Sequence, residues 1–269
     1  MKLAWVTDIH LNFLESTNRK RFYQDLVATG SNAVLLSGDI AEAPTVSEIL
    51  EEMAQYIAKP IYFVLGNHDY YQSSVGNVRQ TVTQLSQANS SVNYLPETGL
   101  VQLSKDTLLL GEDCWADGRY GNYADSRVML NDSRMIQELR EGSIIGKYQL
   151  LDAMQKLADS DATRLKKTLQ LATQEYSPKK VIALVHVPPF RESCMHEGKI
   201  SNDDYLPFFS SKVTGEVLIE AAKDNPDIDF LVLCGHTYSR SYYKPLDNLT
   251  IKAGGVEYGN PIVQEVIEL

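Results

Sequence analysis

Cysteine is scarce in this chain: Cys114, Cys194 and Cys234 are the only three in 269 residues, and none forms a CxxC pair. So few thiols, odd in number, exclude a disulfide framework and a thiolate zinc site, and they fit a reducing compartment. Long apolar runs are missing as well. The amino-terminal stretch Leu3-Ala4-Trp5-Val6 has only four consecutive apolar residues, too short for a signal-peptide core or a membrane span. The expectation is a soluble cytoplasmic protein that makes no membrane contact. Positive charge is outnumbered, with 25 Lys and Arg against 35 Asp and Glu and a formal net charge of -10. Such a mean field repels nucleic acid and favours a small-molecule partner, although bound cations would reverse it locally. Repeats and low-complexity tracts are absent, as is any linker long enough to separate domains, so residues 1–269 are expected to form a single domain.

What is present is an ordinary globular composition, 43% hydrophobic and 22% charged, arranged in a βα rhythm. Short apolar runs at Leu3 to Thr7, Ala33 to Ser37 and Ile61 to Leu65 predict strands. Amphipathic stretches at Thr17 to Gly30, Thr45 to Ala58 and Ser74 to Ala88 predict helices between and after them. The strands are apolar on consecutive residues, as expected of a sheet covered on both faces. Shorter strands follow near Leu100 to Leu103 and Thr107 to Leu110. Residues 112–176 are then expected to form a loop and helical insertion, or cap, with helices near Asp132 to Glu141 and Lys147 to Glu175. Strands return at Lys180 to Val185 and Asp229 to Cys234, with a loop at 190–212 and a helix at Gly215 to Lys223 between them. The tail, Tyr238 to Leu246, Thr250 to Lys252 and Ile262 to Ile267, has the character of closing hairpins.

Polar residues with metal-ligand chemistry gather where these strands end. Asp8-Ile9-His10 follows the first strand, and a DxH spacing in extended backbone would point both side chains to one side. Gly38-Asp39 follows the second, Gly66-Asn67-His68-Asp69 the third, His186 a later strand and Gly235-His236 another. In an open α/β sheet this edge is where ligands bind. Carboxylate, imidazole and amide oxygen suit hard or borderline divalent metals, and two cations held close together need a bridging carboxylate, for which Asp39 is the candidate. The glycines before Asp39, Asn67 and His236 would let the backbone turn sharply or approach closely.

The ordered series DxH, GD, GNHD, a later His and then GH, from Asp8 to His236, resembles the calcineurin-like metallophosphoesterase superfamily, and four of the five histidines fall within it. The resemblance implies a four-layer αββα sandwich of two mixed β-sheets flanked by helices. It also implies two divalent or trivalent metal ions, manganese, iron or zinc. Asp8 and His10 would hold the first, Asn67, His186 and His236 the second, and Asp39 would bridge them. His68 would stay unligated and assist the leaving group, with Asp69 tuning its charge. The implied activity is hydrolysis of a phosphomonoester or phosphodiester by a metal-bound hydroxide, since a metal brings the pKa of bound water down from about 15.7 towards 7.

One position departs from the family pattern. The last motif is usually GHxH, but this chain reads Gly235-His236-Thr237-Tyr238, so Tyr238 stands where the second histidine would complete the first site. A phenolate bound to ferric ion, a water in its place and a weakly filled site are all open. So is a non-catalytic scaffold on the same fold, against which the retained His68 argues; a nuclease would need a basic strip that the sequence lacks. Asp69 also suits a helix N-cap. Arg119, with Trp115 and Tyr123, and Arg191 are candidates for substrate binding or plain packing, and the loop residue His196 for substrate contact or solvation. Glu42 is a candidate hydrogen-bond acceptor near Asp39 or a solvated residue.

Overall fold

The computed structural model describes residues 1–269. Its first half lays down β1 (Lys2–Val6), α1 (Ser16–Ala28), β2 (Ala33–Ser37), α2 (Val46–Ile57), β3 (Ile61–Val64), α3 (Val75–Ala88), β4 (Val92–Tyr94), α4 (Leu95–Thr98), β5 (Val101–Gln102) and β6 (Thr107–Gly111). After an irregular stretch come α5 (Asp132–Met135), α6 (Gln137–Ile145), α7 (Lys147–Glu175), β7 (Lys180–Leu184), β8 (Met195–His196), β9 (Lys199–Ile200), α8 (Leu206–Phe209) and α9 (Lys212–Asp224). The chain closes with β10 (Asp229–Cys234), β11 (Ser241–Leu246), β12 (Leu249–Ala253) and β13 (Glu265–Glu268). No helix is long and apolar enough to cross a membrane.

Two mixed sheets result. The first has the order β13-β1-β2-β3-β4 and the second β11-β12-β10-β7-β6-β5. Most of the parallel pairs follow from helical crossovers, β12 joins β10 in parallel by way of β11, and β13, β11 and β5 join antiparallel at the edges. Alternate residues of one strand serve two cores. Leu3, Trp5 and Leu35 meet Leu109, Ile182 and Leu233 between the sheets. Ala4, Val6, Val34 and Leu36 face the other way, onto α1, α2 and α3, and Leu110, Val181 and Val232 face α7 and α9. The layers are therefore helix, sheet, sheet, helix, and unbroken apolar strands form because both faces are dry. Each buried Leu or Ile contributes roughly 1.5–3 kcal/mol.

Helix α2 illustrates the local logic. Val46, Ile49, Leu50, Met53 and Ile57 recur at helical spacing on its buried face, and Ala58 ends it in a left-handed conformation, φ 51.

The tail meets the expectation in part. β11 and β12 form an antiparallel hairpin, but β13 crosses to the first sheet and pairs antiparallel with β1, Leu3 opposite Ile267. Ile267 completes the core between the sheets, a long-range match that no local pattern specifies. The 112–176 stretch also does more than cap. Helix α7 puts Leu150, Met154 and Ala158 in the first core, and Leu165, Leu169 and Ala172 in the second.

Candidate metal centre

Parallel register brings five strand ends to one level. Val6 lies opposite Leu36, Ser37 opposite Val64, and Leu184 opposite Leu233, so the loops after β1, β2, β3, β7 and β10 open onto the same edge. The backbone then turns in an unusual way. Asp8 (φ 50), His10 (φ 42), Asp39 (φ 52), His236 (φ 72) and Tyr238 (φ 55) are all left-handed, half of the ten non-glycine residues with positive φ. Such strain costs on the order of 1 kcal/mol or more per residue and gathers at functional sites. It corrects the expectation for Asp8 and His10, which leave the strand through two left-handed turns rather than in extended backbone and whose ligand atoms fall in two different groups around Asp39. Close approach explains two of the glycines. A Cβ on Gly66 would collide with the Asp39 carboxylate and the His186 ring, and one on Gly235 with Asp8.

Three acceptor atoms meet on one side of the centre. Asn67 Oδ1 lies 3.1 Å from His186 Nε2 and 2.9 Å from His236 Nδ1, and the two imidazole nitrogens are 3.3 Å apart. The far ring nitrogens face carbonyl oxygens, His186 Nδ1 that of Ser37 at 2.9 Å and His236 Nε2 that of Phe208 at 3.0 Å. A carbonyl only accepts, so those nitrogens carry the N–H protons, and in neutral rings the inward nitrogens are bare lone pairs. Asn67 is aimed the same way: its Nδ2 donates to Asp132 Oδ1 at 2.9 Å, leaving Oδ1 to face the histidines.

On the other side stand His10, Asp39, His68 and Tyr238. His10 Nε2 lies 3.7 Å from Asp39 Oδ2 and 3.1 Å from the Tyr238 hydroxyl. Asp39 joins the two sides: one group with metal-binding geometry is His10, Asp39 and His68, the other Asp8, Asp39 and His186. Its Oδ1 accepts from the His68 N–H at 2.9 Å and sits 3.4 Å from His186 Nε2. Its Oδ2 is buried without a partner. An orphaned carboxylate oxygen beside converging lone pairs fits bound cations.

Aromatic rings pack around these groups. Tyr258 stacks on His10, centroids 4.4 Å apart, and its hydroxyl lies 2.8 Å from that of Tyr238 and 3.3 Å from His68 Nε2. Tyr71 packs against the other face of His68 at 4.3 Å and donates to Asp132 at 2.6 Å.

Burial governs the titration here. It holds His10 down to about 2 and His68 and His236 down to about 3, neighbouring His68 and His186 adding for His10 and His186 for the other two. Burial also pushes Asp39 well above the usual carboxylate range, with Asp8 and Asp69 adding to it. Without compensation the site disfavours charge of either sign on its ligands. A bound cation supplies that compensation by favouring ionised carboxylate and bare imidazole.

The remaining candidates fall elsewhere. Asp69 touches neither the His68 ring nor a helix end as a cap. Its Oδ1 accepts from Ile40 and Ala41 N–H and its Oδ2 from Gly66 N–H, all at 2.8–2.9 Å, which ties the Asp39 loop to the Asn67 loop. None of its hydrogen bonds goes to His68. Arg119 is held by Asp117 and Asp159 and Arg191 by Asp203 at 2.9 Å, so their bonds are to neighbouring carboxylates. His196 packs on Phe209, which in turn packs on His236. Glu42 accepts from Gln72 at 2.6 Å. Tyr123 donates to Lys147 O, and Trp115 is buried near Asn67 and His236.

Three residues at the site, Asp132, Tyr71 and Tyr258, carry no sequence signal of their place in it. Asp132 looks like an ordinary helix-start residue, and Tyr71 and Tyr258 are two of 15 tyrosines; only proximity to Asn67, His68 and His10 distinguishes them.

The family model for calcineurin-like phosphoesterases matches residues 1–240. The chain belongs to that family. Among solved structures the phosphoesterase resembles a dimetal phosphatase from Danio rerio, TM-score 0.59 at 10% identity over 95% of this chain and 87% of the other. It also resembles a phosphopantetheinyl hydrolase from Mycobacterium tuberculosis, TM-score 0.57 at 14% identity over 94% and 89%. A third is a Thermus thermophilus protein, TM-score 0.53 at 14% identity over 94% and 88%. At such identities the likeness is one of fold. No curated protein matches the chain by sequence.

Proposed function

We propose that this phosphoesterase hydrolyses a small-molecule phosphomonoester or phosphodiester at a two-metal centre, with His68 giving a proton to the leaving oxygen. The observation that carries the reading is Asp39, fully buried, shared by the two groups of ligand atoms and with one carboxylate oxygen unpartnered. By the family pattern Asp8, His10, Asp39 and Tyr238 would hold one cation and Asp39, Asn67, His186 and His236 the other, with Asp8 also lying within ligand reach of His186; manganese, iron and zinc all suit such oxygen and imidazole donors. Bound there, the ions supply Lewis acidity that neutralises phosphoryl charge and makes water acidic near neutral pH.

The chain's own residues supply the rest. His68 Nε2, at the half-open side of the centre and 3.3 Å from Tyr258 Oη, is the atom placed to carry a proton to a departing alkoxide. A phosphate group beside the ring favours its protonated form. Tyr71 and Tyr258 pack on His68 and His10 and limit how those rings turn. Asp132 fixes the Asn67 amide, and Asp69 fixes the two loops that carry Asp39 and Asn67. The cysteines, all unpaired and buried, support a reducing, cytoplasmic setting.

Protein reloaded with manganese is expected to cleave an aryl phosphate, with His68→Ala and Asp39→Asn both strongly impaired. Equal rates for wild type and both variants would reject the reading. Less than one tightly held ion per chain, with no turnover under any metal, would establish a non-catalytic scaffold instead.

A further inference from the structure

A narrow cleft runs from the metal centre under the α6–α7 hairpin. Asn67 and His236, two of the three converging acceptors, form one end of it. The rest is apolar: nine of its thirteen lining residues are hydrophobic, among them Trp115, Met129, Leu139, Leu150, Met154 and Phe208. No lysine or arginine lines it, and its one carboxylate, Asp132, is engaged by Tyr71 and Asn67. The Trp115 indole N–H, on a side chain 6% exposed, has no hydrogen-bond partner, so one of the residues that line the cleft carries a buried donor free to take an acceptor.

We propose that this cleft is the subsite for the organic group of the substrate, and that this group is an uncharged, largely apolar alkyl or aryl moiety with an oxygen acceptor near its phosphate end. The proposal rests on the phosphoesterase reading above. A phosphoryl group drawn to the cations meets apolar surface where Asn67 and His236 give way to Leu150, Met154 and Phe208. A second phosphate or a carboxylate would find no cation there and would face Asp132. An ester or hydroxyl oxygen on the organic group would take the Trp115 N–H.

The free room is about 30 Å³, enough for a water or two and not for an organic group. An occupant therefore enters by displacing side chains. The walls suit this, because methionine is the most adaptable apolar residue: Met154 lines the interior, and Met129, 60% exposed, lines the cleft from the irregular stretch before α5. Ile144, Ile145 and Tyr148, exposed at the turn of the same hairpin, are the reason to try a membrane-borne ligand as well as a free one.

The test uses the metal-loaded protein and n-alkylphosphonates, whose carbon–phosphorus bond resists hydrolysis, from methyl to octyl. Calorimetric affinity is expected to rise by up to about fourfold per methylene over the first several carbons, the factor that corresponds to about 0.8 kcal/mol. Binding is also expected to shift the Trp115 emission, a change lost in Trp115→Phe, where Trp5 is the remaining indole. Met129→Glu should flatten the chain-length dependence. Saturable binding of the monomeric octyl compound supports a free substrate, whereas binding of a hexadecyl phosphonate only within phosphatidylcholine vesicles supports a membrane-borne one. A flat series in protein that still binds methylphosphonate and cleaves aryl phosphate overturns the subsite alone. Absence of both phosphonate binding and turnover overturns the phosphoesterase reading beneath it.

Discussion

His236 Nδ1 and Asn67 Oδ1 lie 2.9 Å apart, yet in the neutral histidine neither atom has a proton to share. The Phe208 carbonyl holds the imidazole proton at Nε2, and Asp132 holds the Asn67 amide so that its oxygen faces inward. Two acceptors pressed together in this way repel unless a cation lies between them, and the outer hydrogen bonds thus fit the metal site proposed above.

Asp132→Asn is expected to loosen that arrangement. Its effect should be about 10- to 100-fold in metal affinity, with the fold retained, because Asn67 could then present its NH₂ group inward. Metal titration of the chelated protein, with circular dichroism as the folding control, measures it. Unchanged affinity would mean that Asn67 is oriented by something other than Asp132.

His68→Ala is expected to lower kcat by about 10²- to 10⁴-fold without lowering metal content. The loss should be larger for alkyl esters, whose leaving oxygens need a proton, than for nitrophenyl esters, whose leaving oxygens do not. Tyr258→Phe should show the same leaving-group dependence to a smaller degree, since it removes the hydroxyl 3.3 Å from His68 Nε2. Steady-state rates across a series of leaving groups check both, and a uniform drop would assign these residues to binding.

Tyr238 is the position that tests the proposed first site. If its hydroxyl, 3.1 Å from His10 Nε2, becomes a phenolate ligand, the ferric-loaded protein should show a visible tyrosinate band that Tyr238→Phe abolishes. Tyr238→His should restore the usual ligand and raise metal content towards two per chain. A colourless ferric protein with full occupancy would leave Tyr238 outside the coordination sphere.

Acidification should release the metal. His10, His68 and His236 have folded values of about 2 to 3, below the unfolded value of about 6.5. The native state therefore binds fewer protons than the unfolded chain between those limits, and the histidines' contribution to stability falls as pH falls from about 6.5 towards 3. Asp39 and Asp69, both raised by burial and Asp69 to about 7, act in the opposite sense. They hold extra protons in the metal-free fold; the contribution of Asp69 falls as pH rises from about 4 through about 7, and that of Asp39 falls in the same sense as pH rises. A cation requires Asp39 ionised, so metal binding should expel protons and the metal-induced rise in Tm should shrink from pH 7.5 to pH 5. Calorimetry in buffers of different ionisation enthalpy counts the protons, and a pH-independent rise in Tm would contradict the account.

Much of this was legible in the residue order. Unbroken apolar runs such as Ala33 to Ser37 demand a sheet buried on both faces, and each ends in a residue whose chemistry suits a cation, because a strand end is where a polar side chain can leave the core while its neighbours stay dry. Local pattern therefore fixed the strands, the βα order and the identities of Asp39, Asn67, His186 and His236 as candidates. It did not fix which sheet the last strand joins, since Ile267 and Leu3 are far apart in sequence. Nor did it give Asp69 its three backbone donors, Asp132 its hold on Asn67, or Tyr258 its place over His10. Those relationships depend on loops that meet only after the sheets have paired, and on left-handed turns at Asp8 and His10 that an isolated chain would avoid and that the packed fold enforces.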